Sequence, residues 1–189
     1  MLTSIQSPSK ISLEEFLVLP ETKPASEYVD GQIYQKDMPQ GKHSTLQTRF
    51  GNRINQVGEP QKLAFAFPEL RCTFDGRSIV PDIAVFEWSR IPLNANGKIE
   101  NIFQIAPDWI IEILSPDQSS SRVINKILFC LKNQTKLGWL IDPEEQLVIV
   151  FQPQQEPEIK ENEDVLPVLH VLSDLQLSAA NLFDLLSFN

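Results

Sequence analysis

The chain contains two dense apolar runs, and each carries a single acidic residue. Residues 107–117 read PDWIIEILSPD, in which Glu112 lies within a run of tryptophan, isoleucine and leucine; residues 79–86 read IVPDIAVF, in which Asp82 is the only charge. Runs of this density are typical of strands that are buried on both faces. A buried carboxylate is costly unless another group compensates its charge. The two acids are therefore the first candidates for a functional site.

The remaining pattern of apolar and polar positions predicts strands interleaved with helices. A capping box, SLEE at 12–15, predicts a short first helix, and Asp30-Gly31 predicts a hairpin turn. Further along the chain we expect a helix at 42–57, strands at 62–67, 69–74, 78–86 and 108–114, a helix at 119–134, strands at 137–142 and 146–151, and a helix in AANLFDLL near the end. This order predicts an α/β fold in which helices flank a central mixed sheet.

Composition places the chain among ordinary globular proteins. Its 189 residues, 42% of them hydrophobic, suit one domain over 1–189, with an N-terminal helix and hairpin and an acidic C-terminal extension. The two cysteines, Cys72 and Cys130, lack metal-type spacing, so we expect both to be buried in a reducing compartment. No leader pattern and no run of roughly 18 apolar residues is present, so we expect a soluble, cytoplasmic protein without a membrane anchor.

Charge is distributed unevenly along the chain. The net charge of -9 argues at first against a nucleic-acid partner. Residues 143–189, however, hold nine of the acids and only one lysine, so the rest of the chain is close to neutral. The acid-rich segment 156–164 is interpreted as a solvated loop.

Asp82 and Glu112 are expected on neighbouring strands. If both point to the same side at one end of the sheet, they form a carboxylate pair, which favours a hard divalent cation such as Mg²⁺. A cation held there can activate water and stabilise charge on a phosphodiester. The structural alternatives are that Asp82 ends a strand after Pro81, and that Glu112 pairs with an arginine, Arg71 or Arg122.

The order of these motifs resembles a known family. Pro81-Asp82 followed by Glu112 resembles the PD-(D/E)XK signature of restriction-endonuclease-like proteins. The whole chain resembles the Uma2 family of bacterial endonuclease-like proteins in five ordered blocks: LEEFLVLPE (13–21), EYVDGQIY (27–34), VPDIAVF (80–86), IEILSPD (111–117) and LGWLIDPEE (137–145). The resemblance implies a restriction-endonuclease-like core and hydrolysis of DNA with Mg²⁺ or Mn²⁺ bound by Asp82 and Glu112.

The chain departs from the signature at one position. The signature has lysine two residues after the glutamate, where this chain has Leu114. Members of the family are thought to supply the lysine from the following helix, which implies Lys126 as the residue that positions the attacking water. Glu69 is a candidate to complete the metal shell, and Glu27 is a candidate accessory residue.

Other polar residues are weaker candidates. Lys42, Arg49 and Arg53 on the 42–57 helix could contact a DNA backbone, although an ordinary solvated helix face explains them as well. His43 is expected at the surface or in a capping role. A homodimer is possible, because cutting both strands of a duplex calls for two sites.

Two other functions compete with the nuclease. Leu114 and the acidic tail are compatible with a catalytically inactive DNA-binding or assembly protein that retains the fold. Asp82 and Glu112 could also serve as a general acid and base on a sugar, but the chain lacks an aromatic-rich binding stretch.

Overall fold

The computed structural model describes residues 10–116 and 118–188; Asp117, the last residue of the IEILSPD block, lies outside this part of the chain. The elements in chain order are α1 (Leu13–Leu17), β1 (Ser26–Val29), β2 (Gln32–Gln35), α2 (Gly41–Gly58), β3 (Ala64–Pro68), β4 (Cys72–Phe74), β5 (Arg77–Ile79), β6 (Ile83–Glu87), β7 (Trp109–Ile113), α3 (Ser120–Lys132), β8 (Leu137–Asp142), β9 (Leu147–Phe151), β10 (Glu158–Glu161) and α4 (Ala179–Phe183). The predicted mixed α/β fold is confirmed.

Within residues 10–116 and 118–188, ten strands form two sheets. The large sheet has the order β10-β9-β8-β7-β6-β3, and the small sheet has the order β2-β1-β5-β4. In the large sheet β7 and β8 run parallel, and the neighbouring pairs are antiparallel. A parallel pair needs a crossover connection, which α3 provides between β7 and β8.

The β7 strand is buried on both faces. Trp109, Ile111 and Ile113 belong to one core cluster, together with Phe50 of α2. Ile110 belongs to the other cluster, together with Ile127 of α3. Because side chains alternate along a strand, Glu112 shares the face of Ile110 and is directed toward α3.

The small sheet begins with the predicted hairpin. Asp30 and Gly31 connect β1 to β2 with φ angles of 53° and 89°. A two-residue turn with both φ angles positive matches the right-handed twist of the strands. Tyr28 of β1 is also opposite Ser78 of β5, which attaches the hairpin to the rest of the small sheet.

The predicted strand at 78–86 was wrong, because the chain leaves one sheet and enters the other in its middle. β5 ends at Ile79 in the small sheet, and β6 begins at Ile83 in the large sheet. Pro81 lacks the N–H group that a continuous ladder would need. The N–H of Val80 instead donates to Glu27 Oε1 at 2.8 Å. The crossover at residues 80–82 therefore joins the two sheets beside Asp82.

The interpretation of the acid-rich segment 156–164 as a loop was wrong for its middle part. Residues Glu158–Glu161 form β10, which pairs antiparallel with β9 at the edge of the large sheet. Glu158 and Glu161 are exposed, as expected for a solvated segment. Exposed charge on an edge strand opposes pairing with another chain.

Two predictions from composition can be compared with the structure. Cys72 and Cys130 are free and buried, as expected. Over residues 10–116 and 118–188, no helix combines the length and the apolar character that crossing a membrane would require.

Candidate active site

Asp82 lies immediately before β6 and contacts three donors. Its Oδ1 lies 2.6 Å from the ammonium of Lys36, and its Oδ2 lies 3.1 Å from His43 Nε2. The backbone N–H of Ile113 donates to the same Oδ2 at 2.7 Å. Only 3% of the side chain is exposed. Asp82 thereby connects the crossover to β2, α2 and β7.

Glu112 and Lys126 form a buried pair between β7 and α3. Lys126 Nζ lies 3.0 Å from Glu112 Oε2 and 2.8 Å from Glu27 Oε1. The side chains of the three residues are between 1% and 8% exposed. Since Glu27 is on β1 and Glu112 is on β7, one ammonium joins carboxylates from the two sheets.

Hydrogen bonds to the backbone hold the crossover in place. Lys36 Nζ donates to the carbonyl of Val80 at 3.0 Å. Gln47 of α2 donates through Nε2 to the carbonyl of Asp82 at 2.8 Å, and the N–H of Glu69 donates to the same carbonyl. The position of the Asp82 side chain is therefore fixed by its own backbone as well as by its charged neighbours.

Burial and neighbouring charges shift the protonation equilibria of these groups in opposite directions. Burial raises the pKa of Glu112 to about 8, and Lys126 opposes this change while Asp82 adds to it. Burial acts in the same direction on Asp82, but Lys36 and His43 outweigh it and hold the pKa of Asp82 well below its ordinary value. Asp82 is thus the stable anion of the pair, and Glu112 is the acid whose charge is poorly compensated.

The lysine keeps its proton despite its burial. Burial alone would lower the pKa of Lys126, but Glu112 and Glu27 raise it well above its ordinary value. Lys126 is therefore an ammonium at neutral pH, able to donate hydrogen bonds and unable to act as a base.

One carboxylate oxygen has no compensation. Glu112 Oε1 is buried and has no hydrogen-bond partner among the described residues. At Asp82 the situation differs. Three of the roughly four acceptor sites of its carboxylate are taken by donors of the protein, so about one remains for another ligand. Residues 10–116 and 118–188 contain no group of three or more His, Cys, Asp or Glu side chains arranged to hold a metal. Mg²⁺ is commonly bound through one or two carboxylates and keeps several waters, so Glu112 and Asp82 fit such an ion in kind and number.

Glu69 lies at the rim of this group. Its Oε1 is 3.8 Å from Lys36 Nζ, and 49% of its side chain is exposed. Its backbone has a left-handed conformation, with φ of 47°, which is uncommon for a residue with a side chain. Glu69 is therefore a half-exposed carboxylate beside Lys36, at the edge of the buried centre.

Lys42 and Arg49 of the predicted basic patch on α2 contact groups other than the acids of the centre. Lys42 forms an exposed ion pair with Glu144, with 2.9 Å between Nζ and Oε2. Arg49 lies over the ring of Phe188 and donates to carbonyls near the end of the chain. Arg53 is exposed. Contact of these three residues with DNA stays a prediction.

Two residues of the centre were missed by sequence reasoning. The expectation for His43 was wrong, since it is buried and contacts Asp82. Lys36 ends the hairpin segment with no distinguishing pattern, and only the fold brings it to Asp82, 46 residues away. Arg71 and Arg122, considered as partners of Glu112, instead contact Glu21 and the ring of Tyr34.

The chain is similar to proteins that are already known. The sequence model of the Uma2 family, described as "Putative restriction endonuclease", matches residues 13–180. A crystal structure described as "a putative nuclease belonging to DUF820", from Anabaena variabilis ATCC 29413, is similar with a TM-score of 0.92 and 58% identity. The match covers 94% of this chain and 99% of that chain. No curated protein matches.

Proposed function

Because this chain belongs to the Uma2 family, we propose that it is a nuclease that hydrolyses the phosphodiester bonds of DNA. The active site is the charged centre formed by Asp82, Glu112 and Lys126, with Lys36 and Glu27 as their partners. The family and the similarity to a nuclease structure support the reaction class, and the geometry of the centre supports the assignment of residues.

The observation that carries the proposal is the uncompensated oxygen of Glu112. This oxygen is buried and lacks a partner among the described residues, although Lys126 contacts the other oxygen of the same carboxylate. A purely structural contact is expected to satisfy the remaining oxygen, because a buried polar atom without a hydrogen-bond partner is costly in either protonation state. An oxygen-seeking cation would offset this cost.

Glu112 and Asp82 would hold the ion, Mg²⁺ or Mn²⁺, and Glu69 would be a further oxygen donor at the rim. When bound, such an ion stabilises charge on the phosphodiester and makes water easier to deprotonate. The role of the protein is to supply oxygen ligands on rigid strands and to restrict solvent around them. The N–H of Ile113 and the ammonium of Lys36 fix the orientation of Asp82 for this task.

Lys126 would act as a cation near the scissile phosphate. Its raised pKa keeps it protonated, so it donates hydrogen bonds to water or to a phosphate oxygen. Preorganised donors of this kind typically contribute about 10²–10³-fold to a rate. The family signature has a lysine at the position that Leu114 occupies in this chain. Lys126, on α3, would take the role of that lysine.

A catalytically inactive DNA-binding protein is the competing function. It is favoured by Asp82, whose oxygens contact three donors of the protein itself. In that case the charges would serve only to join the two sheets. Binding of DNA without cleavage under any divalent cation would distinguish this function from the nuclease.

The direct test is cleavage of labelled single-stranded, duplex and plasmid DNA with Mg²⁺, with Mn²⁺ and with a chelator. We expect cleavage that needs the cation and that falls at least about 100-fold in Glu112→Gln, Asp82→Asn and Lys126→Met. Calorimetry should show that Mg²⁺ binding is lost in Glu112→Gln. Glu144→Gln, an exposed acid on the β8–β9 turn, is the matched control and should behave as wild type. Undiminished cleavage by folded Asp82→Asn and Glu112→Gln would refute the assignment.

A further inference from the structure

A groove about 510 Å³ in volume lies between the β1–β2 hairpin and α3. Glu27 and Lys126 of the active centre form part of its wall, so the groove reaches the centre directly. Its other walls carry Tyr34 from β2 and Arg77 from β5. The inference drawn from this groove rests on the proposed nuclease function. It concerns which form of DNA reaches the active centre.

One face of α3 lines the groove along its length. Arg122, Asn125, Lys126, Phe129 and Lys132 all contribute, and their spacing of three or four residues places them on one side of a helix. Ten residues separate the first from the last, which corresponds to about 15 Å of helix. At 3.4 Å per nucleotide along one strand, this length matches roughly four stacked nucleotides.

The groove is basic although the protein as a whole is acidic. It is lined by four basic side chains and by two acidic ones, Glu27 and Asp30. Asp30 is paired with Arg77 at 2.6 Å, and Glu27 is paired with Lys126. Arg122 and Lys132 are exposed and have no carboxylate partner within 4.0 Å among the described residues. Among the described residues no carboxylate neutralises these two cations, and both can contact phosphates.

An aromatic ring adjoins the two cations. The guanidinium of Arg122 lies 4.7 Å from the centroid of Tyr34, and Tyr34 lines the groove. Arginine and aromatic planes are the groups on which unpaired bases stack, and such stacking tolerates any base sequence.

We propose that the groove binds an unpaired DNA strand, so that single-stranded DNA or the unpaired segment of a branched duplex is the substrate form. The groove has the size of a small-molecule pocket. A single DNA strand can enter a groove of this size, and a duplex cannot. The side chains to be reached, Lys126 and Glu112, are only 8% and 1% exposed. A duplex presents its phosphates on a broad convex surface and would remain outside, whereas a single strand can descend to the wall that carries Lys126.

The test measures binding without turnover, by fluorescence anisotropy in a chelator. A labelled oligonucleotide is compared with the same sequence annealed to its complement. We expect the single strand to bind at least about tenfold more tightly than the duplex. Arg122→Ala with Lys132→Ala should weaken single-strand binding about tenfold and reduce the salt slope by one to two units. The matched control, Lys23→Ala with Lys98→Ala, removes two exposed lysines outside the groove and should change binding less than twofold.

A second pair of variants tests the ring. Tyr34→Leu should lose about tenfold in single-strand affinity, and Tyr34→Phe should bind as wild type because the ring remains. Circular dichroism and thermal unfolding establish that each variant is folded.

Equal affinity for duplex and single strand, or equal loss in groove and control variants, would overturn the proposal. Because the measurement excludes turnover, its outcome is independent of the nuclease assignment. Groove-dependent binding in a protein that never cleaves would support the groove and refute the nuclease. Cleavage of duplex DNA without single-strand preference would refute the groove alone.

Discussion

Of the two buried acids Glu112 and Asp82, Glu112 has the less favourable electrostatic environment. It shares the ammonium of Lys126 with Glu27, and its second oxygen has no partner among the described residues. Asp82, at the same depth, has Lys36, His43 and a backbone N–H. The difference explains why burial raises the pKa of one acid while the pKa of the other is lowered.

This difference predicts a pH dependence of stability in a chelator. An unfolded glutamate loses its proton near 4.5, whereas Glu112 in the folded state keeps it up to about 8. Between these values the folded state binds more protons, so the free energy of unfolding decreases as pH rises, by up to about 1.4 kcal/mol per pH unit. We expect the stability of wild type relative to Glu112→Gln, measured by urea unfolding, to decrease from pH 5 to pH 8.

The exposed substitution Glu144→Gln is the control for this experiment. Its stability relative to wild type should not depend on pH over the same interval. A constant difference between wild type and Glu112→Gln would contradict the raised pKa.

The sequence made some residues of the centre recognisable and concealed others. Glu112 and Asp82 were visible because a charge inside an apolar run contradicts the pattern of a buried strand. Lys126 was identified through the family resemblance, at the border of an apolar helix face. Lys36 and His43 lie in polar surroundings, where a charged residue is expected, and only tertiary contacts bury them.

Among the elements, α3 determines where the ammonium of Lys126 lies. It packs on β8 at Gly138, where an added Cβ would overlap Ile127 Cγ2. Ile127 is the neighbour of Lys126, so the close approach of helix and strand at this glycine sets the distance between the lysine and Glu112.

Gly138→Ala should therefore displace α3. We expect a loss of about 1–3 kcal/mol in the free energy of unfolding from overpacking, together with reduced cleavage. Combined with Ile127→Ala, which removes the opposing methyl group, the loss should be smaller than the sum of the single losses. Gly51→Ala on α2 is the control: its nearest contact, Ile83 Cδ1, is at 4.0 Å, and alanine favours a helix. Additive losses in the double-mutant cycle would show that α3 does not rest on Gly138.

The strands show why local pattern predicts some elements better than others. The hairpin at Asp30-Gly31 and the two faces of β7 follow from rules that operate within a few residues. The division of 78–86 into β5 and β6 depends on which sheet each half joins, and β10 exists because β9 offers it an edge. Partners distant in sequence decide both cases, and periodicity carries no information about them.

Across the whole molecule, charge separates into an acidic edge and a basic groove. β10 lies three strands away from β7, or about 14 Å at the usual spacing of strands. At this distance two unit charges interact by about 0.3 kcal/mol in water. The acidic edge would therefore repel a phosphate backbone in the proposed groove only weakly.

Removing acids from the edge should raise DNA affinity only when salt is low. Glu156→Gln with Glu161→Gln should increase single-strand affinity about twofold near 10 mM salt, where the screening length is roughly 30 Å. Near 150 mM the screening length falls to about 8 Å, and the effect should vanish. An increase that persists at the higher salt would indicate direct contact between this edge and DNA.

The homodimer expected for duplex cleavage stays a prediction, and an unpaired strand needs only one centre.

The crossover at residues 80–82 has a consequence for the newly synthesised protein. Glu27, Asp82, Glu112 and Lys126 are spread over a hundred residues and over both sheets, and they meet only after the sheets have joined. A nascent chain on the ribosome lacks the complete centre until α3 has emerged and docked. Under the proposed nuclease function, unfinished or misfolded copies would lack the assembled centre and could not cleave DNA.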